Sequence, residues 1–312
     1  MKNKKIKALL SFAILLLNTV VAYAQYGPTF TQYTFNEAFI NPAYTGSQDA
    51  LAANISYRNQ WVGVTGAPVT ETFVAHAPVF HKTVGIGVTA YNEHAGILKT
   101  TAGSLNLSYR IIMKKSTLSF GLSGGVQSFR EDFTKVKTGQ DYQVDYQFLN
   151  SPHVVSPNVG FGVYYYTPKL FAGISIPRMI ETKLNDDSTT IINRVNQSSF
   201  TYYAALGYVI DHNENAIWKP YIMTKLIQGA PMQTDFSLTV LLKKVLWVGA
   251  SYRTDKTLSG IVGFQFNPQL KLTYSYDYTF SALQKYNSGS HELQLSYVFS
   301  FNKEKIVTPR LF

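Results

Sequence analysis

Six histidines (His76, His81, His94, His153, His212 and His291) are the side chains of this chain best suited to exchange protons near neutral pH. Two stand beside acids. Glu93-His94 and Ser290-His291-Glu292 hold the acid and base that hydrolysis by an activated hydroxyl requires. Nothing marks a nucleophile to go with them. No histidine pair has the HxH or HExxH spacing of a metal site, and neither a P-loop nor a dinucleotide fingerprint occurs. Asp186-Asp187 offers Ca²⁺ two carboxylates without further ligands, which reads as a solvated loop. Cysteine is absent, so thiolate metal sites and disulfides are excluded. The reading is a non-enzymatic chain with no cofactor and no metal.

The elements that would carry these residues are strands. Leu270, Leu272, Tyr274, Tyr276, Tyr278 and Phe280 alternate with Lys271, Thr273, Ser275, Asp277, Thr279 and Ser281. A period of two puts the apolar side chains on one face and the polar ones on the other. Leu105, Leu107, Tyr109 and Ile111 oppose Ser104, Asn106, Ser108 and Arg110 in the same way. Fourteen such segments are expected, at 51–62, 68–79, 83–93, 100–112, 116–129, 155–166, 169–176, 199–211, 217–227, 233–242, 245–253, 259–267, 270–280 and 289–301. Their lengths suit a tilted membrane strand, which needs about 9–11 residues. In Val84–Val88, Gly160–Tyr166 and Gly121–Gly125, glycines stand at wall positions.

Composition decides what kind of sheet this is. Only 15% of the 312 residues are charged, against roughly 25% in an average soluble domain. Aromatic residues reach 14%, which excludes disorder. The mature chain has no apolar run of the roughly 20 residues a spanning helix needs. The expected fold is all-β: a transmembrane antiparallel β-barrel of about fourteen strands, spanning 51–301, with its apolar faces in contact with outer-membrane lipid. A soluble sandwich would carry more charge, and Val and Ile in place of so many Tyr. The long connections, 130–154 and 177–198, both follow odd-numbered strands, whereas even-numbered strands are followed by short turns. That asymmetry places the chain in the cell outer membrane with both ends of the barrel chain in the periplasm.

Residues 1–24 read as a secretory signal: four lysines in Met1–Lys7, an apolar run over Ala8–Leu17, then Ala22-Tyr23-Ala24. Its removal takes four lysines from a net charge of +10. The balance that remains is mild, and an exported chain has no nucleic-acid partner.

The polar faces carry Arg58, Arg110, Asp235, Arg253 and Asp277, expected to line the lumen, where ion pairs form away from lipid. Lys82, Lys114, Lys115, Lys243 and Lys244 fall in short turns at the expected periplasmic rim, as candidate contacts for machinery there. Trp61, Tyr91, Trp218, Trp247 and Tyr286 lie near strand ends, as in interfacial aromatic girdles. Residues 25–50 do not alternate, yet Phe30, Tyr33, Phe35, Phe39, Ile40 and Tyr44 make them too apolar for a free tail. Fourteen strands enclose a lumen too wide for wall side chains to fill. The segment is therefore expected to fold into the periplasmic mouth as a plug, or to serve there as a docking arm. Residues 302–312 would continue into the periplasm.

QYTFNEAFINPAYTG (Gln32–Gly46), followed by SYRNQWVGVTGAPVT (Ser56–Thr70), resembles the PorP/SprF family of Bacteroidota. TVGIGVTAYNEHAGILKT (Thr83–Thr100), FAGISIP (Phe171–Pro177), WVGASYR (Trp247–Arg253) and SYDYTFSALQKYNSGSHELQLSYVF (Ser275–Phe299) extend the likeness in order. The resemblance implies an outer-membrane component or accessory of the type IX secretion system, in some cases linked to gliding motility. It implies export or surface anchoring of a large secreted cargo such as an adhesin. Its partners would include periplasmic secretion or gliding machinery. Within the family motif, Asn36, Asn41, Pro42, Ala43, Tyr44 and Gly46 become candidate plug or partner-binding residues.

Overall fold

The computed structural model describes residues 27–133, 153–184, 191–213 and 215–299. The expected signal at 1–24, the tail at 302–312, most of the 130–154 connection and Asp186-Asp187 lie outside the described residues.

Seven strands follow one another as antiparallel neighbours: β1 (Leu51–Asn59), β2 (Val69–Val79), β3 (Val84–Ala95), β4 (Leu98–Ile112), β5 (Thr117–Glu131), β6 (His153–Tyr166) and β7 (Leu170–Ile176). β8 (Ile180–Leu184) and β9 (Ile191–Val195) then pair only with each other. This hairpin stands inside the 177–198 connection, where the sequence pattern indicated none. The wall resumes with β10 (Thr201–Tyr208), β11 (Ile210–Asn213), β12 (Ala216–Ile227), β13 (Gln233–Leu242), β14 (Leu246–Arg253), β15 (Thr257–Gln265), β16 (Leu270–Thr279) and β17 (Ser290–Phe299). β17 pairs with β1, and β10 pairs with both β7 and β12, so the sheet closes on itself. The strand expected in one piece at 199–211 is interrupted at Val209, whose N–H donates to the Lys169 carbonyl at 2.8 Å. β11 then carries on along β12. With β10 and β11 taken as one strand, the ring has fourteen. Through β10 the pairing runs all the way round the ring, the condition for crossing lipid with strands.

The faces are inverted relative to a soluble protein. In β15, Thr257, Ser259 and Gln265 are buried while Leu258, Val262 and Phe264 are exposed. Leu105 is 70% exposed, whereas Arg58 is 1% exposed. Apolar side chains point to lipid and polar ones point inward. The long connections leave from one end of the ring. At the other end lie the short turns, two of which use left-handed backbone at Phe80, His81, Lys82, Lys243 and Lys244.

Residues 27–50 occupy the interior. Next to β1, Asp49 meets Arg110 at the short-turn end of β4. Farther along, Thr31 meets Asp277 and Glu292 in the opposite halves of β16 and β17. Gly27 lies beside Arg178, just beyond β7. The segment therefore reaches from the short-turn end into the far half of the barrel, deeper than the mouth where the sequence reading put it.

A row of small inward residues makes room for it. Gly85, Ser108, Gly121, Gly162 and Ser175 are successive cross-strand partners on β3 to β7. Ser175 donates to the Ile40 carbonyl at 2.7 Å and Ser108 to the Thr45 carbonyl at 2.7 Å. A Cβ at Gly85 would overlap the Thr45 carbonyl, one at Gly121 the Ala43 backbone, and one at Gly162 the Asn41 side chain. Ile40–Gly46 thus lies across five strands in direct backbone contact with the wall. Gly121→Val is expected to expel the segment, because overpacking that meets backbone costs about 1–3 kcal/mol or more. Limited proteolysis of the folded barrel should then cut within 27–50. Gly124→Ala, where a Cβ meets open space, should leave the protease pattern unchanged.

Candidate functional site

The segment folds through short turns. A 3₁₀ turn spans Tyr33–Phe35, a helical turn Glu37–Ile40 and a second 3₁₀ turn Pro42–Tyr44. Asn36 links the first two: its N–H donates to the Tyr33 carbonyl and its carbonyl accepts from Phe39. Asn41 caps the third, its side chain accepting from the Ala43 N–H at 2.9 Å and donating to the Val163 carbonyl at 3.1 Å. Pro42 suits the first position of such a turn, having no N–H to leave unsatisfied. Gly46 takes a φ of 77°, and its N–H donates to His76 Nδ1 at 3.2 Å.

Thr31 is the centre of the far half. Its hydroxyl donates to both carboxylate oxygens of Asp277 at 2.7 and 2.8 Å, and its N–H donates to Glu292 at 2.8 Å. Arg58 pairs with Asp277 at 2.7 Å and with Glu292 at 3.0 Å, and also donates to the Thr31 hydroxyl. Arg253 pairs with Asp235 at 2.6 Å and donates to the Phe30 carbonyl at 2.6 Å. All five ionisable side chains are buried. Charges taken out of water need partners and satisfied hydrogen bonds, and the segment's backbone supplies part of both.

Nearer the short turns, Lys219 donates to the Thr34 carbonyl at 3.0 Å, and Gln294 to the Phe35 carbonyl at 3.2 Å. The Lys271 ammonium lies 4.2 Å from the centre of the Phe35 ring and 5.3 Å from that of Trp247, within cation–π range. Phe30 packs on Phe39 at 4.9 Å, Phe39 on Tyr91 at 5.8 Å, and Tyr44 on Tyr164 at 5.2 Å. Burial, with Asp235 adding to it, pushes the Tyr33 phenol above its usual range and keeps it neutral. A cavity of about 100 Å³ remains between segment and wall, bordered by Phe39, Tyr91, Gln127, Arg178 and Tyr203.

The five charges expected in the lumen all lie there, in two groups. Arg58, Asp235, Arg253 and Asp277 surround Phe30 and Thr31. Arg110 stands apart, bonded to Asp49 and to the Tyr166 hydroxyl at 2.5 Å. Asn41, Pro42, Ala43 and Gly46 are buried against the wall; Asn36 and Tyr44 are half-buried. Lys82, Lys114, Lys115, Lys243 and Lys244 are exposed in short turns of the same end. Trp247 and Tyr91 are corrections. Trp247 is buried against Phe35, and Tyr91 faces Phe39 inside the barrel, so neither belongs to a lipid-facing girdle.

The acid–histidine pairs are divided by the strand pleat. Glu93 points inward, accepting from Thr70, while His94 is exposed on the outer face. Glu292 points inward to Arg58, while His291 meets Tyr274 outside. Adjacent residues on a strand face opposite sides, so neither pair forms a dyad. Gly121–Gly125 also has the GxSxG spacing of a nucleophile elbow, but it runs within β5, not at a strand-to-helix turn. Sequence reasoning missed Thr31, Gln32, Lys219 and Lys271 as site residues. It noticed Glu292 only for its histidine neighbour.

Arg58→Met is expected to leave Asp277 and Glu292 buried without their cation, a loss of roughly 3–5 kcal/mol. Thr31→Val should cost less, about 1–3 kcal/mol for the acceptors it strands. Amide hydrogen exchange over 29–35, alongside the thermal unfolding midpoint, reads both effects. Exchange as slow as in the parent chain for Arg58→Met would refute the assignment.

Three solved structures are similar to the chain. The CymD monoaromatic hydrocarbon channel is 13% identical, with a TM-score of 0.51 over 88% of this chain and 94% of that one. The toluene transporter TbuX of Ralstonia pickettii is 8% identical, with a TM-score of 0.49 over 87% and 94%. Omp33 of Acinetobacter baumannii is 8% identical, with a TM-score of 0.48 over 81% and 100%. At 13% identity the likeness to CymD concerns fold alone. No curated protein matches the chain. The family model for the type IX secretion system membrane protein PorP/SprF matches residues 22–297, from before the lumen segment to within β17, and the chain belongs to that family.

Proposed function

We propose that this protein is a non-enzymatic outer-membrane component or accessory of the type IX secretion system that holds a secreted partner protein for export or surface anchoring. A gliding adhesin is one cargo of this kind. The observation that carries this reading is the filled lumen. The chain's own residues 27–50 lie inside the barrel as a plug, hydrogen-bonded to buried ion pairs of the wall, with a cavity of about 100 Å³ beside them. A lumen so occupied favours a partner that docks on the barrel over a solute that passes through it. The end bearing the long connections and the β8–β9 hairpin offers the cargo a surface. At the opposite end Lys82, Lys114, Lys115, Lys243 and Lys244 present positive charge to periplasmic machinery.

The test is deletion of the gene followed by proteomics of the cell surface and the medium. One or a few large surface proteins should disappear from the surface, and complementation should restore them. An unchanged surface would overturn the proposal. The competing reading, a channel for a hydrophobic or small solute, is checked in liposomes. The full chain is expected to pass no small solute, and a variant lacking 27–47 to pass it freely. Flux through the full chain would favour the channel.

A further inference from the structure

The outer face of β3–β6 carries a feature that neither the lumen nor the fold requires. His94, Lys99, Arg130 and His153 are successive cross-strand partners. All four are exposed. Alternation points them outward, since Glu93, Thr100 and Gln127 take the inward positions of the same strands. They lie at the strand ends nearest the long connections, so the row is on the external side.

We propose that this row binds the phosphate groups of outer-leaflet glycolipid headgroups. Three observations support it. The first is depth. Below the row, on the same outward face, come Glu71, Asn92, Thr101 and Ser128, and below those Phe73, Ala90, Gly103 and Val126. Val88 and Leu105, then Ile86, Leu107 and Leu122, continue the face. The order apolar, polar, basic follows the order of hydrocarbon, interface and headgroup along a membrane strand.

The second is uncompensated charge. Cross-strand neighbours are about 4.5–5.5 Å apart, where like charges destabilise a sheet. Lys99 and Arg130 face each other directly. Among the described residues no ion pair joins any member of the row to a carboxylate. Glu71, in the row beneath, accepts from Asn92, and Thr101 in turn donates to Asn92. The sheet thus holds two facing cations, Lys99 and Arg130, that an external anion would relieve.

The third is restriction to one sector. The same row continues the other way through Val69, Asn59, His291 and Tyr276, with no lysine or arginine. Three strand spacings make the basic stretch about 14 Å long, enough to meet a headgroup with two phosphates. Arg130 supplies a planar fork, Lys99 a point charge. Ser128, hydrogen-bonded to His153 Nε2 at 2.8 Å, steadies one end.

The test uses the full chain in detergent micelles, with binding of bisphosphorylated lipid A and of the same lipid stripped of phosphate followed by native mass spectrometry. The parent chain should prefer the phosphorylated lipid. The double variant Lys99→Gln/Arg130→Gln should bind it about tenfold more weakly, the worth of one charge-assisted contact. Lys99→Arg/Arg130→Lys should retain binding. Heat-modifiable gel mobility confirms that each variant is a folded barrel. Equal binding of the two lipids by the parent, or unchanged binding by the folded double Gln variant, would overturn the proposal. So would a double Gln variant that keeps the lipid but loses a surface protein, because the row would then serve a protein.

Discussion

The pairing of Arg58 with Asp277 and Glu292 joins three neighbouring strands, β1, β16 and β17, to the lumen segment through Thr31. None of these side chains is stable alone in a buried site. An unpaired guanidinium or carboxylate there loses several kcal/mol of hydration; Thr31 donates to the Asp277 oxygen that Arg58 leaves free, and the Gln32 N–H to the free oxygen of Glu292. The need arises from strand number. Fourteen strands leave a lumen that wall side chains cannot fill, so its polar residues must meet either water or more chain. Here they meet chain. The segment's short turns expose carbonyls that a sheet would have paired, and Arg253, Lys219, Gln294, Ser108 and Ser175 each donate to one. Wall and segment are thus complementary in hydrogen bonding, and the placement of one presupposes the other.

Most of the wall was legible because a lipid-facing strand alternates strictly. Tyr274 and Tyr276 against Ser275 and Asp277 leave one register that keeps charge out of lipid, so Arg58, Arg253 and Asp277 could be assigned to the lumen from the pattern alone. What alternation does not encode is what fills that lumen. Thr31 and Gln32 have no periodic signature; they matter because the segment brings them within reach of Asp277 and Glu292. Trp247 misled for a related reason. A tryptophan near a strand end belongs to a girdle only if it points outward, and here its partner inside is Phe35. The glycines of β3, β5 and β6 weakened the strand pattern because they answer to the backbone of Ile40–Gly46, which period-two reasoning does not see.

The two halves of the segment are held by different physics. Toward the short turns, Ile40–Gly46 fits a row of small residues, and its attachment depends on shape: a Cβ at Gly85 or Gly121 would occupy the space of its backbone. Toward the far half, Phe30–Gln32 is held by charge-assisted hydrogen bonds to buried groups that are themselves ion-paired, Arg58 with Asp277 and Glu292, and Arg253 with Asp235. Close packing falls off within an ångström of separation. A buried ionic cluster weakens when water enters and raises the local dielectric.

That difference gives the segment a direction. Its Asp49 end continues into β1 and cannot leave without breaking the wall, and the glycine row beside it admits little displacement. Gly27 and Thr31 lie farther along the chain from that anchor, in the half nearest the long connections. Any displacement that spares the barrel therefore begins at Thr31. It has to replace Arg58, Arg253, Asp277 and Glu292 as a group, because freeing Thr31 from one of them leaves the others still holding it. A partner able to do so would need both donors and acceptors in a stretch no longer than the two or three residues it displaces, a requirement that an extended polypeptide meets and a small apolar solute does not.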